Sequence, residues 1–141
     1  ILTIKNKLET LYGKDSVGAY FGDTTQEERV RVIEAFEDKD NPMRFFVGNP
    51  STAGYGITLN QANTVVYYAN DFNLETRMQS EDRCHRIGQT NKVTYIDLIA
   101  ENTIDEKIVK ALRDKIDIGA KVLGEEARQW LKIDPKQKTM L

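Results

Sequence analysis

Residues 44–68 read RFFVGNPSTAGYGITLNQANTVVYY, two apolar runs separated by a stretch rich in glycine and hydroxyl side chains. The runs at 44–47 and 64–68 have the β-branched and aromatic composition of buried strands. The stretch between them, 50–60, is predicted to be a glycine-bearing loop that follows a strand. In a parallel α/β sheet, ligands bind in loops beyond the carboxyl ends of the strands. This loop is therefore the first place to look for a site.

Two helices and a strand are predicted upstream of this region. Apolar side chains recur at helical spacing over residues 4–11, and Gly13 ends that helix. Residues 16–20 are predicted to form a short strand. Thr25, with a glutamate three residues later, is a capping-box pattern for a helix that ends near Asp38. The side chains expected to face one way from this helix are Val30, Ile33 and Phe36.

Helices and strands also alternate downstream of residue 68. A helix is predicted from Asn73 or Thr76 towards Arg86, and a strand over residues 92–100. A second capping box, beginning at Thr103, opens a further amphipathic helix. Strands alternating with helices predict an α/β fold, with a doubly wound parallel sheet and helices on both faces.

Composition limits the possible functions. The chain has 141 residues, of which 40% are hydrophobic and 30% charged, as in one globular domain. A formal net charge of −2 argues against a protein that binds nucleic acid through bulk charge. No apolar run approaches the roughly 20 residues that span a bilayer, so no membrane partner is expected. Cys84 is the only cysteine and cannot form an internal disulfide, which fits a reducing compartment.

Arg83 and Arg86 are the first candidates for chemistry. They lie three residues apart on a predicted helix, so they project from one face about one turn apart. Planar guanidinium groups suit phosphate oxygens, and an arginine beside a γ-phosphate in transfer is worth roughly 10³ to 10⁵ in rate. A solvated helix end with local pairing to Glu81 and Asp82 fits the same spacing. On spacing alone, both interpretations remain open.

The stretch AGYGITL contains glycines separated by one residue, Gly54 and Gly56. Such a pair most often marks a turn, but it also lets backbone N–H groups approach a phosphate or sugar closely. Three hydroxyl side chains nearby add donors: Ser51, Thr52 and Thr58. A turn and a ligand-binding loop are both consistent with this pattern.

Other reactive side chains have simpler interpretations. His85 is the only histidine, and no metal site is predicted because it has no partner ligand. Cys84 is expected to pack as a small apolar residue, since no base is placed to activate it. The sequence has neither a GxxxxGK[ST] phosphate loop nor an acidic strand end of the Walker-B type. A chain that held ATP–Mg²⁺ alone would need both.

Residues 79–89, QSEDRCHRIGQ, resemble motif VI of the Swi/Snf-family ATPases, which are superfamily-two DNA translocases. AGYGITL resembles motif V of the same family, and residues 20–29 and 71–73 resemble further family segments. The threonine at position 58 makes the likeness closest to annealing-helicase-like, phage and bacterial members. The likeness extends to about residue 123. The family pattern Gln-x-x-Asp-Arg-x-His-Arg-Ile-Gly-Gln is matched at Gln79, Asp82, Arg83, His85, Arg86, Ile87, Gly88 and Gln89.

The resemblance implies a RecA-like second lobe over residues 1–124, followed by a C-terminal helix and tail over 125–141. This lobe would close on a first lobe that carries the phosphate loop and binds most of the ATP with Mg²⁺. The family's lobe begins with a strand and a motif IV that this sequence does not show. The sheet is therefore expected to lack its first strand, which is commonly interior.

The resemblance also assigns roles to individual residues. Arg86 is implied to be the arginine finger, with Arg83 beside it on the triphosphate. Gln79 is implied to couple the nucleotide site to the motif V loop. Gly54 and Gly56 are implied to shape that loop near the ribose. The residues expected to contact DNA phosphates are Ser51, Thr52 and Thr58.

The function implied is ATP-driven translocation along the backbone of duplex DNA, with this chain inactive alone. A non-catalytic DNA- or protein-binding module with the same fold is the alternative from another class. An RNA helicase is disfavoured, because the HRIGQ ending resembles duplex-DNA translocases more than DEAD-box proteins. The expected compartment is the cytoplasm or nucleoid for a bacterial or phage protein, and the nucleus for a eukaryotic one.

Overall fold

The computed structural model describes residues 1–53, 56–85 and 88–123. The expected C-terminal helix and tail, 125–141, lie outside the described residues. The described elements are α1 (Leu2–Tyr12), a 3-10 turn (Lys14–Ser16), β1 (Val17–Tyr20), α2 (Gln26–Glu37), β2 (Phe45–Gly48), α3 (Pro50–Ala53), β3 (Thr64–Tyr67), α4 (Leu74–Cys84), β4 (Thr94–Asp97) and α5 (Ile104–Leu123).

The chain divides into two compact units. The first comprises Ile1–Tyr67 and Glu75–Ile96. The second comprises Tyr68–Leu74 and continues from Asp97. The first unit contains α1 to α3, β1 to β3 and nearly all of α4 and β4, so it carries both segments that resemble helicase motifs.

Strands β1 and β2 pair in parallel, from Val17 opposite Phe45 to Tyr20 opposite Gly48. Parallel strands need a crossover connection, and α2 supplies it. At the carboxyl ends of the two strands, Asn49 N donates to Tyr20 O at 3.2 Å. The predicted α/β arrangement is confirmed for this half of the unit.

The capping box predicted at the start of α2 is present. Thr25 Oγ1 accepts from Glu28 N at 3.3 Å, and Glu28 Oε2 accepts from Thr25 N at 3.4 Å. The predicted inward side chain Val30 is wrong, because Val30 is exposed and Val32 is buried instead. The reason lies in β1: a Cβ added at Gly18 would lie 2.6 Å from Val32 Cγ1, so the glycine admits the helix there.

The remaining elements differ from the sequence predictions in extent. The predicted loop over 50–60 is partly helical, since α3 occupies its first four residues and begins with proline, which suits a first helical position. Strand β4 is limited to Thr94–Asp97, although 92–100 is predicted. At the start of α5, Thr103 Oγ1 accepts from Asp105 N at 3.2 Å and Glu106 Oε1 accepts from Asn102 N at 2.9 Å.

Among the described residues, the strands form two separate pairs, β1–β2 and β3–β4, where one continuous sheet is predicted. A doubly wound sheet with the strand order 3-2-1-4-5 gives two such pairs when its first strand is absent, because that strand lies between the others. The division of the sheet therefore agrees with the expected lack of a first strand.

The core of the first unit lies directly beneath the motif-bearing segments. Its buried residues are Tyr20, Ile57, Leu59 and Cys84. Burial of a large apolar side chain contributes about 1.5–3 kcal/mol. Two of these residues come from the stretch that resembles motif V and one from the end of α4. Packing thus fixes both segments to the same core.

Candidate functional site

The middle of α4 is held against strands β3 and β4 by three side-chain contacts. Tyr67 Oη and Ser80 Oγ lie 2.6 Å apart in a hydrogen bond. The Arg77 guanidinium lies 3.5 Å from the centroid of the Tyr67 ring and also pairs with Glu81. Tyr95 Oη donates to Glu81 O at 3.2 Å. These bonds set the position of the helix that carries the candidate arginines.

The tyrosines in these contacts remain protonated. Burial is the main cause that raises the pKa of Tyr67 above its ordinary value of 10.0, although the bond to Ser80 and the charge of Arg77 lower it. Burial also raises the pKa of Tyr95. Both hydroxyls therefore keep a hydrogen to donate across the physiological range.

Arg83 lies on the last turn of α4 and is half-buried. Its carbonyl oxygen accepts from Leu59 N at 2.9 Å. Leu59 is the last residue of the stretch that resembles motif V, so the structure brings the two motif segments into direct main-chain contact. Arg86, the predicted arginine finger, lies outside the described residues.

Gln79 also lies on α4. Its Nε2 donates to Glu75 Oε1 at 3.0 Å, one turn earlier on the same helix. The structure thus places the side chain in a bond within α4. The coupling role implied for Gln79 stays a prediction.

The glycine-bearing stretch is only partly described, because Gly54 lies outside the described residues. Gly56 has φ +75, in the left-handed region that glycine adopts without steric cost. Thr58 is half-buried between the core residues Ile57 and Leu59. The stretch therefore turns at Gly56 and is anchored immediately afterwards.

The two other predicted phosphate contacts lie on α3, just beyond the carboxyl end of β2. Ser51 is exposed, and its backbone N and Oγ donate to Asn49 Oδ1 at 3.2 and 2.9 Å. Thr52 N donates to Asn49 O at 3.0 Å. Asn49 thus holds the start of α3, a role that sequence reasoning missed. Its position just before a proline-initiated helix is the signal that could have revealed it.

Gln89 joins the end of the motif VI segment to the chain that follows motif V. Its Nε2 donates to Asn60 O at 2.9 Å, to Ala62 O at 2.9 Å and to Cys84 O at 3.2 Å. Its Oε1 accepts from Asn91 N at 2.9 Å. Sequence reasoning included Gln89 in the motif match but gave it no role.

Gly88 lets the chain before Gln89 pass close to the side chain of Asn60. It has φ +105, and a Cβ added there would lie 3.1 Å from Asn60 Nδ2. A side chain at this position would therefore strain the backbone and crowd the neighbouring segment. The backbone thus adopts a left-handed conformation at Gly88, after the end of α4 at Cys84.

The predicted packing role of Cys84 is confirmed, because its side chain belongs to the buried core. Burial raises the pKa of the Cys84 thiol to about 11, with further contributions from the charges of Glu37 and Glu81. Such a thiol is a poor nucleophile at neutral pH. His85 beside it is exposed, and its N donates to Glu81 O at 3.0 Å.

The turn over residues 71–73 belongs to the second unit. Asn73 N donates to Asp71 Oδ1 at 2.7 Å, which closes the turn. Phe72 is exposed, and its carbonyl accepts from Lys115 Nζ at 2.6 Å. The aromatic ring is therefore presented to solvent by a turn that is tied to α5.

Over residues 1–53, 56–85 and 88–123, no three His, Cys, Asp or Glu side chains are grouped so as to hold a metal ion. In the same part of the chain, none of the helices has both the length and the apolar composition needed to cross a membrane.

Comparison with known families finds one match over most of the chain. Residues 2–88 match the family described as helicase conserved C-terminal domain. The match includes the strand pair β1–β2, the stretch that resembles motif V and the helix α4.

Several curated proteins are similar to the chain. "Nuclear protein STH1/NPS1" of Saccharomyces cerevisiae is 35% identical over 102 residues, which cover 72% of this chain and 8% of that protein. "ATP-dependent helicase brm" of Drosophila melanogaster is 32% identical over 120 residues, covering 78% of this chain and 7% of that protein. The chain thus spans less than a tenth of the length of these relatives. Both are eukaryotic, so the expected kinship with phage and bacterial members is not supported.

Among solved structures, the crystal structure of the C-terminal part of the Fun30 ATPase domain is similar to the chain. The TM-score is 0.67 at 34% sequence identity, covering 77% of this chain and 34% of that chain. This likeness confirms the predicted fold class.

Proposed function

The chain belongs to the helicase conserved C-terminal domain family, and from that premise we propose that it is the second RecA-like lobe of an ATP-driven duplex-DNA translocase of Swi/Snf type. The observation that carries the proposal is the bond from Leu59 N to Arg83 O, 2.9 Å long. This bond joins the stretch that resembles motif V to the helix that resembles motif VI. The lobe is proposed to occupy residues 1–124, followed by a C-terminal helix and tail over 125–141.

The residues of this chain suit one side of an ATP site. The sequence has no phosphate loop, and the described residues contain no acidic cluster for Mg²⁺. A first lobe is therefore proposed to hold most of the nucleotide. When bound, ATP supplies the phosphoryl group whose transfer to water drives the motor.

The proposed contribution of this lobe is positive charge. Arg86 and Arg83 are proposed to neutralise charge that develops on the phosphate oxygens, because guanidinium groups match their geometry. The other arginine on α4, Arg77, stacks on Tyr67 and pairs with Glu81. Gln79 is proposed to couple the nucleotide site to the motif V loop, and Gly54 and Gly56 to shape that loop near the ribose.

The proposed DNA contacts lie in and just before the stretch that resembles motif V. Ser51 and Thr52 offer hydroxyl groups just beyond the carboxyl end of β2, and Ser51 is exposed. Thr58 offers a third hydroxyl from the stretch that resembles motif V. Phosphate contacts fix a protein on DNA without reading its sequence. A few such contacts suffice for a translocating lobe and are compatible with a net charge of −2. The similarity to a yeast protein whose name describes it as nuclear favours the nucleus as the compartment.

The function is tested by ATP hydrolysis with this lobe joined to a lobe that carries a phosphate loop. Duplex DNA is expected to stimulate hydrolysis more than single-stranded DNA or RNA, and this chain alone is expected to show no turnover. Stimulation by RNA alone would favour an RNA helicase. Binding of DNA without any stimulated hydrolysis would favour the non-catalytic module.

A further inference from the structure

The amide of Gln89 is surrounded by main-chain groups from three places in the sequence. Its Nε2 faces the carbonyl oxygens of Asn60, Ala62 and Cys84, at 2.9, 2.9 and 3.2 Å. Two of these oxygens follow the motif V stretch and one ends α4. A single side chain thus bonds both motif segments, across separations of 27 and 29 residues on one side and five on the other.

The hydrogen-bond pattern fixes the orientation of this amide. The Oε1 atom accepts from Asn91 N at 2.9 Å, while the NH₂ group donates to the carbonyls. The opposite orientation would place an oxygen against three carbonyl oxygens and an NH₂ group against a backbone N–H. The two N–H groups of the amide are shared among the three carbonyl oxygens, and its oxygen accepts from the fourth group.

Two further contacts bring the same segments together. The bond from Leu59 N to Arg83 O lies next to the Gln89 bonds, and Gly88 closely approaches the side chain of Asn60. Residues 59–62 and the carboxyl end of α4 are therefore joined by side-chain and main-chain bonds together. Each segment therefore restrains the position of the other.

We propose that Gln89 is a positioning residue that couples the segment after the glycine loop to the arginine-bearing end of α4. The proposal rests on the proposed function, in which the loop side contacts DNA and the helix side contacts ATP. In this role Gln89 acts through the main chain of the two segments that it bonds. Through these bonds, a shift of the loop on DNA binding changes the position of the carboxyl end of α4. The position of the arginine side chains beside ATP changes with it.

The bonds themselves are tested by amide hydrogen exchange in the protein that contains both lobes. Gln89→Met keeps the side-chain length but removes both donors and the acceptor. The reporters are the backbone amides of Leu59 and Ala62, which donate to Arg83 O and Leu59 O. Exchange at these amides is expected to accelerate about tenfold or more. Unchanged exchange would overturn the proposal.

The matched control is Gln61→Met, in the same segment. The Gln61 side chain is exposed, and its backbone N rather than its amide bonds Glu37 Oε1 at 3.1 Å. Exchange at the two reporter amides is expected to stay at the wild-type rate in this variant. Equal acceleration in both variants would show that the segment is sensitive to any substitution, which also overturns the role of Gln89.

The coupling is tested by ATP hydrolysis with and without duplex DNA. In Gln89→Met, the DNA-stimulated kcat is expected to fall about tenfold, while the basal rate and the KM for ATP stay within about twofold. Gln89→Lys restores N–H donors for the carbonyls and is expected to keep stimulation closer to wild type. Both variants are compared at an equal margin below their unfolding temperatures.

The outcomes separate the coupling role from the proposed function. Parallel loss of basal and stimulated hydrolysis in Gln89→Met would mean a structural role only and would overturn the coupling. Wild-type protein without any DNA-stimulated hydrolysis would overturn the coupling and the proposed function together. Faster exchange with unchanged stimulation would leave the proposed function intact and overturn the coupling alone.

Discussion

The middle and the carboxyl end of α4 are held in different ways. In the middle, side chains bind the helix to the strands: Tyr67 bonds Ser80, and Arg77 stacks on the Tyr67 ring. At the end, the carbonyl of Arg83 and the amide of Gln89 bind the segment that follows the glycine loop. The contacts in the middle position α4 on the strands. The contacts at the end join α4 to the segment that follows the glycine loop.

We therefore expect the middle of α4 to contribute mainly to stability and its carboxyl end mainly to ATP turnover. The contacts in the middle connect elements that belong to the framework of the first unit, so their loss is expected to lower the free energy of unfolding. The contacts at the end connect two segments that face proposed ligands. Their loss is expected to change turnover more than stability.

Among the variants of described residues, the largest expected effect is on catalysis, at the end of α4. Arg83→Ala is expected to lower DNA-stimulated ATP turnover by roughly 10³, because a guanidinium group beside the transferred phosphate is lost. Turnover is measured with the lobe joined to a phosphate-loop lobe. Arg113→Ala, an exposed arginine on α5, is the control and is expected to leave turnover unchanged. Equal rates for the two variants would remove Arg83 from the catalytic account.

The second-largest expected effect is a loss of stability when the contacts in the middle of α4 are removed. Tyr67→Ala is expected to lower the free energy of unfolding by roughly 3–5 kcal/mol, the cost of truncating a buried aromatic side chain. The ring is 5% exposed and also carries the Arg77 and Ser80 contacts. Denaturant unfolding measures the change.

The neighbouring tyrosine provides a control for this substitution. Tyr68 is 69% exposed, so Tyr68→Ala is expected to change stability by less than about 0.5 kcal/mol. Similar losses for both variants would contradict the assignment of Tyr67 as the anchor of α4.

Much of the secondary structure follows from local sequence signals. The capping box at Thr25 and the turn at Gly13 are both present, since these patterns depend only on neighbouring residues. Of the side chains predicted to face inward from α2, Ile33 and Phe36 pack against the core. Val30 is exposed instead, because the absent Cβ at Gly18 leaves room for Val32. That effect depends on a tertiary contact, which helical periodicity cannot reveal.

The candidate site shows the same limit. The motif resemblance identified α4 and the glycine-bearing stretch, and the structure brings Arg83 and Leu59 into contact. The bonds of Gln89 span up to 29 residues of sequence, so spacing patterns could not predict them. The role of Asn49 was not predicted either, because the sequence predicts a loop over 50–60. In the structure, the bonds of Asn49 hold the start of a short helix there.

The smallest expected effect is a pH dependence at Cys84, in the core of the first unit. Burial raises the pKa of Cys84 from 9.0 to about 11. The folded state therefore favours the protonated thiol, and this stability is fully present below about pH 9 and lost as the pH rises to about 11. The midpoint of thermal unfolding between about pH 8 and pH 10.5 should fall more in wild type than in Cys84→Ala. Equal falls would show that the thiol does not contribute.

The central claim is that this lobe supplies catalytic positive charge to ATP held by another lobe. The most direct test is Arg86→Ala in the protein with both lobes, measuring DNA-stimulated turnover and ATP affinity separately. Turnover is expected to fall by roughly 10³ or more, while affinity changes by less than about tenfold, because the charge acts in the transition state. Near wild-type turnover in this variant would contradict the account.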